Sequence, residues 1–260
     1  MPSLRTPDGT QLYYRDWGTG RPVVLVHSLL MNGDMWQYQM HHLAEHGHRA
    51  IAYDRRGHGR SDDPGAGYDF DTLADDLAAV LDTLGLADVT LVGHSMGGGE
   101  VVRCLSRHGD ARISRVALVG STVPCLGVDP AEAAALLERL RTGYGQWVQE
   151  NAAFSFGTEP IAQVEKDRTI QDWMAVSLKA AVECTAANLA ADFRAEVAAI
   201  GLPALVVHGD SDAFAPLETC GRRTAELIPD SKLVVYRNGS HMLHLSHRRQ
   251  LNADLLDFVS

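Results

Sequence analysis

The sequence predicts a protein of the α/β class: a mostly parallel, doubly wound sheet with a helical cap inserted into it. Three observations carry this expectation. Short apolar, β-branched runs recur at Val23 to His27, Arg49 to Tyr53, Val89 to Val92, Val116 to Val119, Ala204 to His208 and Leu233 to Tyr236. Runs that are apolar nearly throughout mark strands covered on both faces, which is how parallel sheets are buried. Helical patterns fill most of the gaps between them, and one long stretch without a strand interrupts the alternation.

Taken in order, Gln11 to Trp17 followed by Gly18-Thr19-Gly20 reads as an early antiparallel strand and its turn. Asp71 to Leu84 places Leu73, Leu77, Val80, Leu81 and Leu84 on one helical stripe, with an acidic opposite face and Asp71 available as cap. Between Ser121 and Gly201, Ala- and Leu-rich stretches such as Pro130 to Arg141 and Asp172 to Ala191 follow one another. The expected division is a core of residues 1–120 and 201–260 with a helical cap at 121–200. The cap is expected over the C-terminal edge of the sheet, where open α/β folds bind ligands.

The bulk composition narrows the function. The 260 residues, 45% hydrophobic and 22% charged, suit a globular protein able to bury a sizeable core. A net charge of −10 opposes phosphate backbones and anionic membrane surfaces, so neither nucleic acid nor membrane is an expected partner. The first ten residues lack a signal-peptide core, and no segment offers about 18 uninterrupted apolar residues, so a cytoplasmic location is expected. Cys104, Cys125, Cys184 and Cys220 form no Cys-x-x-Cys pair and read as reduced thiols, mostly buried. A homo-oligomer is compatible with the chain.

The segment with the most chemical content runs from Val89 to Glu100, an apolar strand leading through Gly93-His94-Ser95-Met96-Gly97 into a helix that begins near Met96. So tight a strand-to-helix turn forces Ser95 into a strained conformation and demands small neighbours, which Gly93 and Gly97 are. The strain exposes the hydroxyl beside the positive end of the helix. A Gly-rich turn could merely pack a helix on a strand or cradle phosphate, but no Gly-Lys-Ser/Thr pattern follows.

A serine hydroxyl needs a base to take its proton, and imidazole has the suitable pKa. Where serine sits on such a bend, chain order runs Ser, then Asp or Glu, then His. His241 follows the strand Leu233 to Tyr236 on the loop Asn238-Gly-Ser-His241 and is the candidate base. His244 and His247 come at spacings of three, yet no carboxylate joins them in a metal-ligand pattern, and no metal is expected. The strand Ala204 to His208 ends in Gly209-Asp210-Ser211-Asp212, which leaves Asp210 and Asp212 as alternatives for the acid. Oxyanion donors are expected from the backbone N–H of Met96 and, on the loop His27-Ser28-Leu29-Leu30-Met31, of Leu29. Leu30, Trp147, Phe154, Phe156 and Trp173 are the candidate pocket residues, although helical core packing explains the four aromatic ones as well.

Together Tyr53-Asp54-Arg-Arg-Gly-His-Gly-Arg-Ser61, Gly93-His-Ser-Met-Gly-Gly98, His208-Gly-Asp-Ser-Asp212 and Asn238-Gly-Ser-His241 resemble the cofactor-free haloperoxidase and aryl-esterase family of the α/β-hydrolase fold. The resemblance spans nearly the whole chain. It implies that the acid is the second Asp of the His-Gly-x-x-Asp pattern, here Asp212. It also implies ester hydrolysis without cofactor, metal or haem, with perhydrolysis as a side activity. In that side reaction hydrogen peroxide takes the acyl group from Ser95, and the peracid then oxidises halide.

One departure stands out, because such enzymes usually carry an aromatic residue after His-Gly in the oxyanion loop. His27-Ser28-Leu29 instead resembles the loop of 3-oxoadipate enol-lactonases and points to lactones or enol esters. Asp54-Arg55-Arg56-Gly57-His58-Gly59 occurs in many α/β-hydrolases with different substrates and reads as a loop bracing the oxyanion segment, not as a substrate clamp. Dehalogenases and epoxide hydrolases of the fold use Asp as nucleophile, which Ser95 argues against. C–C bond hydrolases, hydroxynitrile lyases and cofactor-free dioxygenases keep the same fold and residues, and a small-molecule receptor is the non-enzyme alternative.

Overall fold

The computed structural model describes residues 2–260. Its eight strands form one sheet: β1 (Ser3–Arg5), β2 (Gln11–Trp17), β3 (Pro22–Val26), β4 (Arg49–Tyr53), β5 (Val89–His94), β6 (Ile113–Val119), β7 (Ala204–Gly209) and β8 (Ser231–Tyr236), in the order β1-β2-β4-β3-β5-β6-β7-β8. β1 and β2 are antiparallel and the other six run parallel. Each apolar run of the sequence falls in a parallel strand, and β5 and β7 are buried at every residue.

Helices α1 (Gln37–Glu45), α2 (Phe70–Thr83) and α3 (Met96–His108) follow β3, β4 and β5. The helix expected from Asp71 starts one residue earlier and is capped by Asp69, whose side chain accepts the Thr72 N–H from an extended backbone. Asp71 falls instead in the first turn. Phe70 packs edge-on against Phe193, so the apolar contact extends the helix one residue back and moves the cap with it.

Between β6 and β7 lie α4 (Pro130–Thr142), α5 (Tyr144–Phe156), α6 (Gln163–Ala175), α7 (Leu178–Ala190) and α8 (Arg194–Ala198), with no strand among them. Asp129 caps α4 ahead of Pro130, a residue whose fixed φ and missing N–H suit a first helical position. The stretch from Asp172 to Ala191 is two helices, because Val176 and Ser177 adopt extended backbone and the Ser177 hydroxyl caps α7. After β7 and β8 come α9 (Arg223–Leu227), α10 (Leu243–Ser246) and α11 (Arg248–Val259). Among the described residues no helix is long and apolar enough to cross a membrane.

Strand order reverses beside β3, since the chain goes from β3 outward to β4 and then returns to place β5 on the other side. Such a reversal opens a crevice at the C-terminal ends of the two strands. Val26 lies opposite Gly93 there, so the loop after β3 and the bend after β5 are neighbours. The approach is close: a Cβ on Gly97 would stand 2.6 Å from the Val26 carbonyl oxygen and 2.7 Å from that of His27. Both obstacles are backbone. Gly97→Ala should therefore cost stability at or above the upper end of the roughly 1–3 kcal/mol usual for overpacking, read as a lower urea midpoint with an unchanged slope.

Candidate active site

Ser95 joins β5 to α3 with φ at 55°, a left-handed value that a residue with a Cβ adopts at a cost of about 1–3 kcal/mol. Its backbone is held from several directions. The Ser95 N–H donates to the Val119 carbonyl at 3.1 Å, and its carbonyl accepts from Gly98 N–H at 3.0 Å, the Ser121 hydroxyl at 3.1 Å and Thr122 N–H at 3.4 Å. At about 0.5–1.5 kcal/mol each, these bonds together outweigh the strain.

The loops after β7 and β8 are bonded to one another: Asp210 N–H donates to the Tyr236 carbonyl at 3.1 Å and Ser211 N–H to that of Gly239 at 3.0 Å. A Cβ on Gly239 would come within 2.8 Å of the Gly209 Cα, so glycine lets the two loop bases touch. Asp212 consequently meets His241, with Oδ2 2.8 Å from Nδ1, while His241 Nε2 stands 2.9 Å from the Ser95 hydroxyl oxygen. Asp210 is exposed and accepts from the Ser211 hydroxyl. Of the two acidic candidates, the one adjoining His241 is Asp212.

Burial by itself would raise the Asp212 carboxyl. The charge and hydrogen bond of His241 and the Ala215 N–H outweigh it and hold the group below the ordinary carboxylate range. Its second oxygen accepts from Phe214 and Ala215 N–H, both at 2.9 Å. An ionised carboxylate only accepts, so the Nδ1 of His241 that faces it carries a proton, and Nε2 is the ring nitrogen turned to Ser95. His208 approaches Asp212 Oδ2, the oxygen that faces His241, at 3.8 Å, but burial lowers its pKa and its Nε2–H is taken by the Ala215 carbonyl.

Two further histidines support the site. His94 is fully buried and donates from Nε2 to the His241 carbonyl at 2.8 Å, tying the loop of His241 to the residue before Ser95. His27 accepts Arg55 N–H at Nε2 and donates from Nδ1 to the Ser28 carbonyl. The Arg55 guanidinium reaches the carbonyls of His27 and Ser28 and pairs with Glu100 on α3, which also accepts from the Tyr53 hydroxyl. Arg55 is thus a buried brace of the loop carrying Leu29, away from the cavity. His244 and His247 diverge: the first is buried beside Trp36 and His94, the second stacks on Tyr236. Among the described residues no group of three or more His, Cys, Asp and Glu side chains is arranged so that it could hold a metal ion.

Ser95 and His241 open into a cavity of about 370 Å³ under the cap. Leu29, Leu30, Trp147 and Trp173 line it, and Met96 lies behind Ser95 as the first residue of α3. Neither the Leu29 nor the Met96 backbone N–H donates to another group among the described residues. Phe154 and Phe156 do not reach the cavity. Phe154 is 66% exposed, because α5 has run about 10 Å past Trp147 by that point. Phe156 follows Trp147 by nine residues, which turns it to the opposite side of α5, where it is buried. The cavity also uses Phe214, whose ring lies 5.4 Å from His241, together with Leu136, Thr122 and Asn188. Phe214 was findable as an apolar residue two beyond the acid, whereas Thr122 and Asn188 carry no motif.

Residues 21–174 match the family described as alpha/beta hydrolase fold. The chain belongs to the α/β-hydrolase fold family. It is an enzyme of that superfamily, 39% identical to a non-heme chloroperoxidase, CPO-A1, of Kitasatospora aureofaciens across the full length of both chains. A bifunctional esterase/perhydrolase of Acinetobacter calcoaceticus is 31% identical over 100% of this hydrolase and 99% of its own length. The solved bromoperoxidase of Bacillus anthracis superposes with a TM-score of 0.94 at 34% identity, covering 99% of each chain.

Because the folded pKa of Asp212 is depressed, its ionised form contributes stability that is present above the unfolded value near 3.9 and is lost as pH falls through the lower folded value. Asp212→Asn should therefore be less stable than the parent hydrolase at neutral pH, and the gap should narrow below about pH 4. Urea midpoints measured from pH 7 to pH 3 test this. A gap that widens on acidification would contradict the assignment of charge.

Proposed function

We propose that the protein is a serine hydrolase that cleaves a neutral carboxylic ester or lactone through an acyl-enzyme on Ser95. One observation carries the reading: a line of hydrogen bonds runs from Asp212 through His241 to Ser95 and ends in an apolar cavity. In this mechanism the Ser95 oxygen attacks the substrate carbonyl as His241 Nε2 takes its proton, and Asp212 stabilises the imidazolium that forms. The backbone N–H groups of Met96 and Leu29 receive the oxyanion. His241 then protonates the departing alkoxide. Water, giving a proton to His241, attacks the acyl carbon, and as the carbon–oxygen bond to Ser95 breaks, His241 returns that proton to the Ser95 oxygen and the carboxylic acid leaves. Side chains, backbone and water supply every group these steps use.

Among the described residues no Lys, Arg, Asp or Glu lines the cavity, which favours an uncharged acyl group, since an ion there would lose its hydration without gaining a partner. A second reading is favoured by the haloperoxidase and perhydrolase names of the relatives. Hydrogen peroxide in place of water would take the acyl group as a peracid, and the peracid would oxidise halide to hypohalite while returning the carboxylic acid.

Ser95→Ala should lower the hydrolysis rate of p-nitrophenyl acetate by on the order of 10⁴-fold or more while the protein stays folded. A variant within tenfold of the parent would overturn the mechanism.

A further inference from the structure

The cavity wall facing α7 has a polar feature that the hydrolytic steps leave unused. Asn188 on α7 is 8% exposed and lines the cavity beside Thr122. The Thr122 hydroxyl donates to Asn188 Oδ1 at 2.8 Å and has no other acceptor, which turns the amide nitrogen away from Thr122. Thr122 is itself fixed beside the nucleophile, its N–H on the Ser95 carbonyl.

Several other polar side chains nearby donate a hydrogen inside the protein. The Asn151 amide nitrogen donates to the Trp147 carbonyl at 2.8 Å, the Thr185 hydroxyl to that of Ala181 at 2.6 Å, and the Trp173 indole to the Met31 sulfur at 3.0 Å. Asn188 Nδ2 donates to no group among the described residues and is not sealed from the cavity. The Trp147 indole N–H, equally without a partner there, belongs to the same cavity.

A free amide donor in so apolar a space loses water when a ligand fills it, and an unpaired buried donor is costly. We infer that Asn188 is a specificity-determining residue whose Nδ2–H binds a neutral oxygen acceptor, such as a ketone or ether oxygen, in the substrate at a distance from the bond being cleaved. A carboxylate is disfavoured there, because among the described residues no Lys or Arg lines the cavity to pair with it. This rests on the proposed ester or lactone hydrolysis and narrows its substrate class.

The test compares kcat/KM for p-nitrophenyl 4-oxopentanoate with pentanoate, and for 5-oxohexanoate with hexanoate. One hydrogen bond to a neutral acceptor predicts that at least one oxo ester is preferred roughly 3- to 10-fold by the parent protein. In Asn188→Leu that ratio should fall to about one. Equal turnover of both members of both pairs by the parent, or a preference that survives in Asn188→Leu, overturns the inference and leaves ester hydrolysis standing. Turnover of none of the four esters overturns the hydrolytic reading and the inference with it.

Discussion

The site depends on one piece of backbone, the turn that carries Ser95 from β5 into α3 at positive φ. Left to itself a serine there would relax, and the hydroxyl would fall back against the chain. It is prevented by β6 on one side, through the Val119 carbonyl, and by the start of α3 and the Ser121-Thr122 loop on the other. Helix α3 can begin so close to β3 only because residue 97 has no side chain. The geometry that exposes the hydroxyl is thus a product of sheet order and of atoms that are absent, before any catalytic partner is considered.

The partners arrive by the same logic. β7 and β8 end in two loops that share hydrogen bonds, so the carboxylate and imidazole are fixed to each other first and to Ser95 second. His94 then links the second loop to the residue before the turn. Across the cleft, Arg55 carries the loop of Leu29 and is anchored by Glu100 four residues into α3. Removing one member of such a buried pair leaves an uncompensated charge, which generally costs about 3–5 kcal/mol. Both walls of the cleft therefore refer back to the segment that bears Ser95.

The parallel strands were legible because burial on both faces leaves an almost uninterrupted apolar run, and Ser95 and His241 could be named as candidates that adjoin because the bend and the chain order constrain sequence locally. The choice of Asp212 over Asp210 was not settled by spacing. It is decided in space by which carboxylate the β7 and β8 loops present to His241, and family resemblance anticipated it. The pocket was half legible: Leu30, Trp147 and Trp173 line it, while Phe154 and Phe156 do not. Helical phase and the length of α5 determine that difference, and neither follows from aromatic composition. Thr122 and Asn188 meet across 66 residues with no local signal.

The central claim, that Ser95 is driven to attack by an imidazole held on a carboxylate, is tested most directly by trapping the covalent intermediate. Acid-quenching the protein within its first turnovers of p-nitrophenyl acetate, followed by peptide mass spectrometry, should find an acetyl group on the peptide containing Ser95. The acetyl should be absent when His241 is replaced by alanine. Turnover with no acetylated peptide, or with the acetyl on another side chain, would contradict the account.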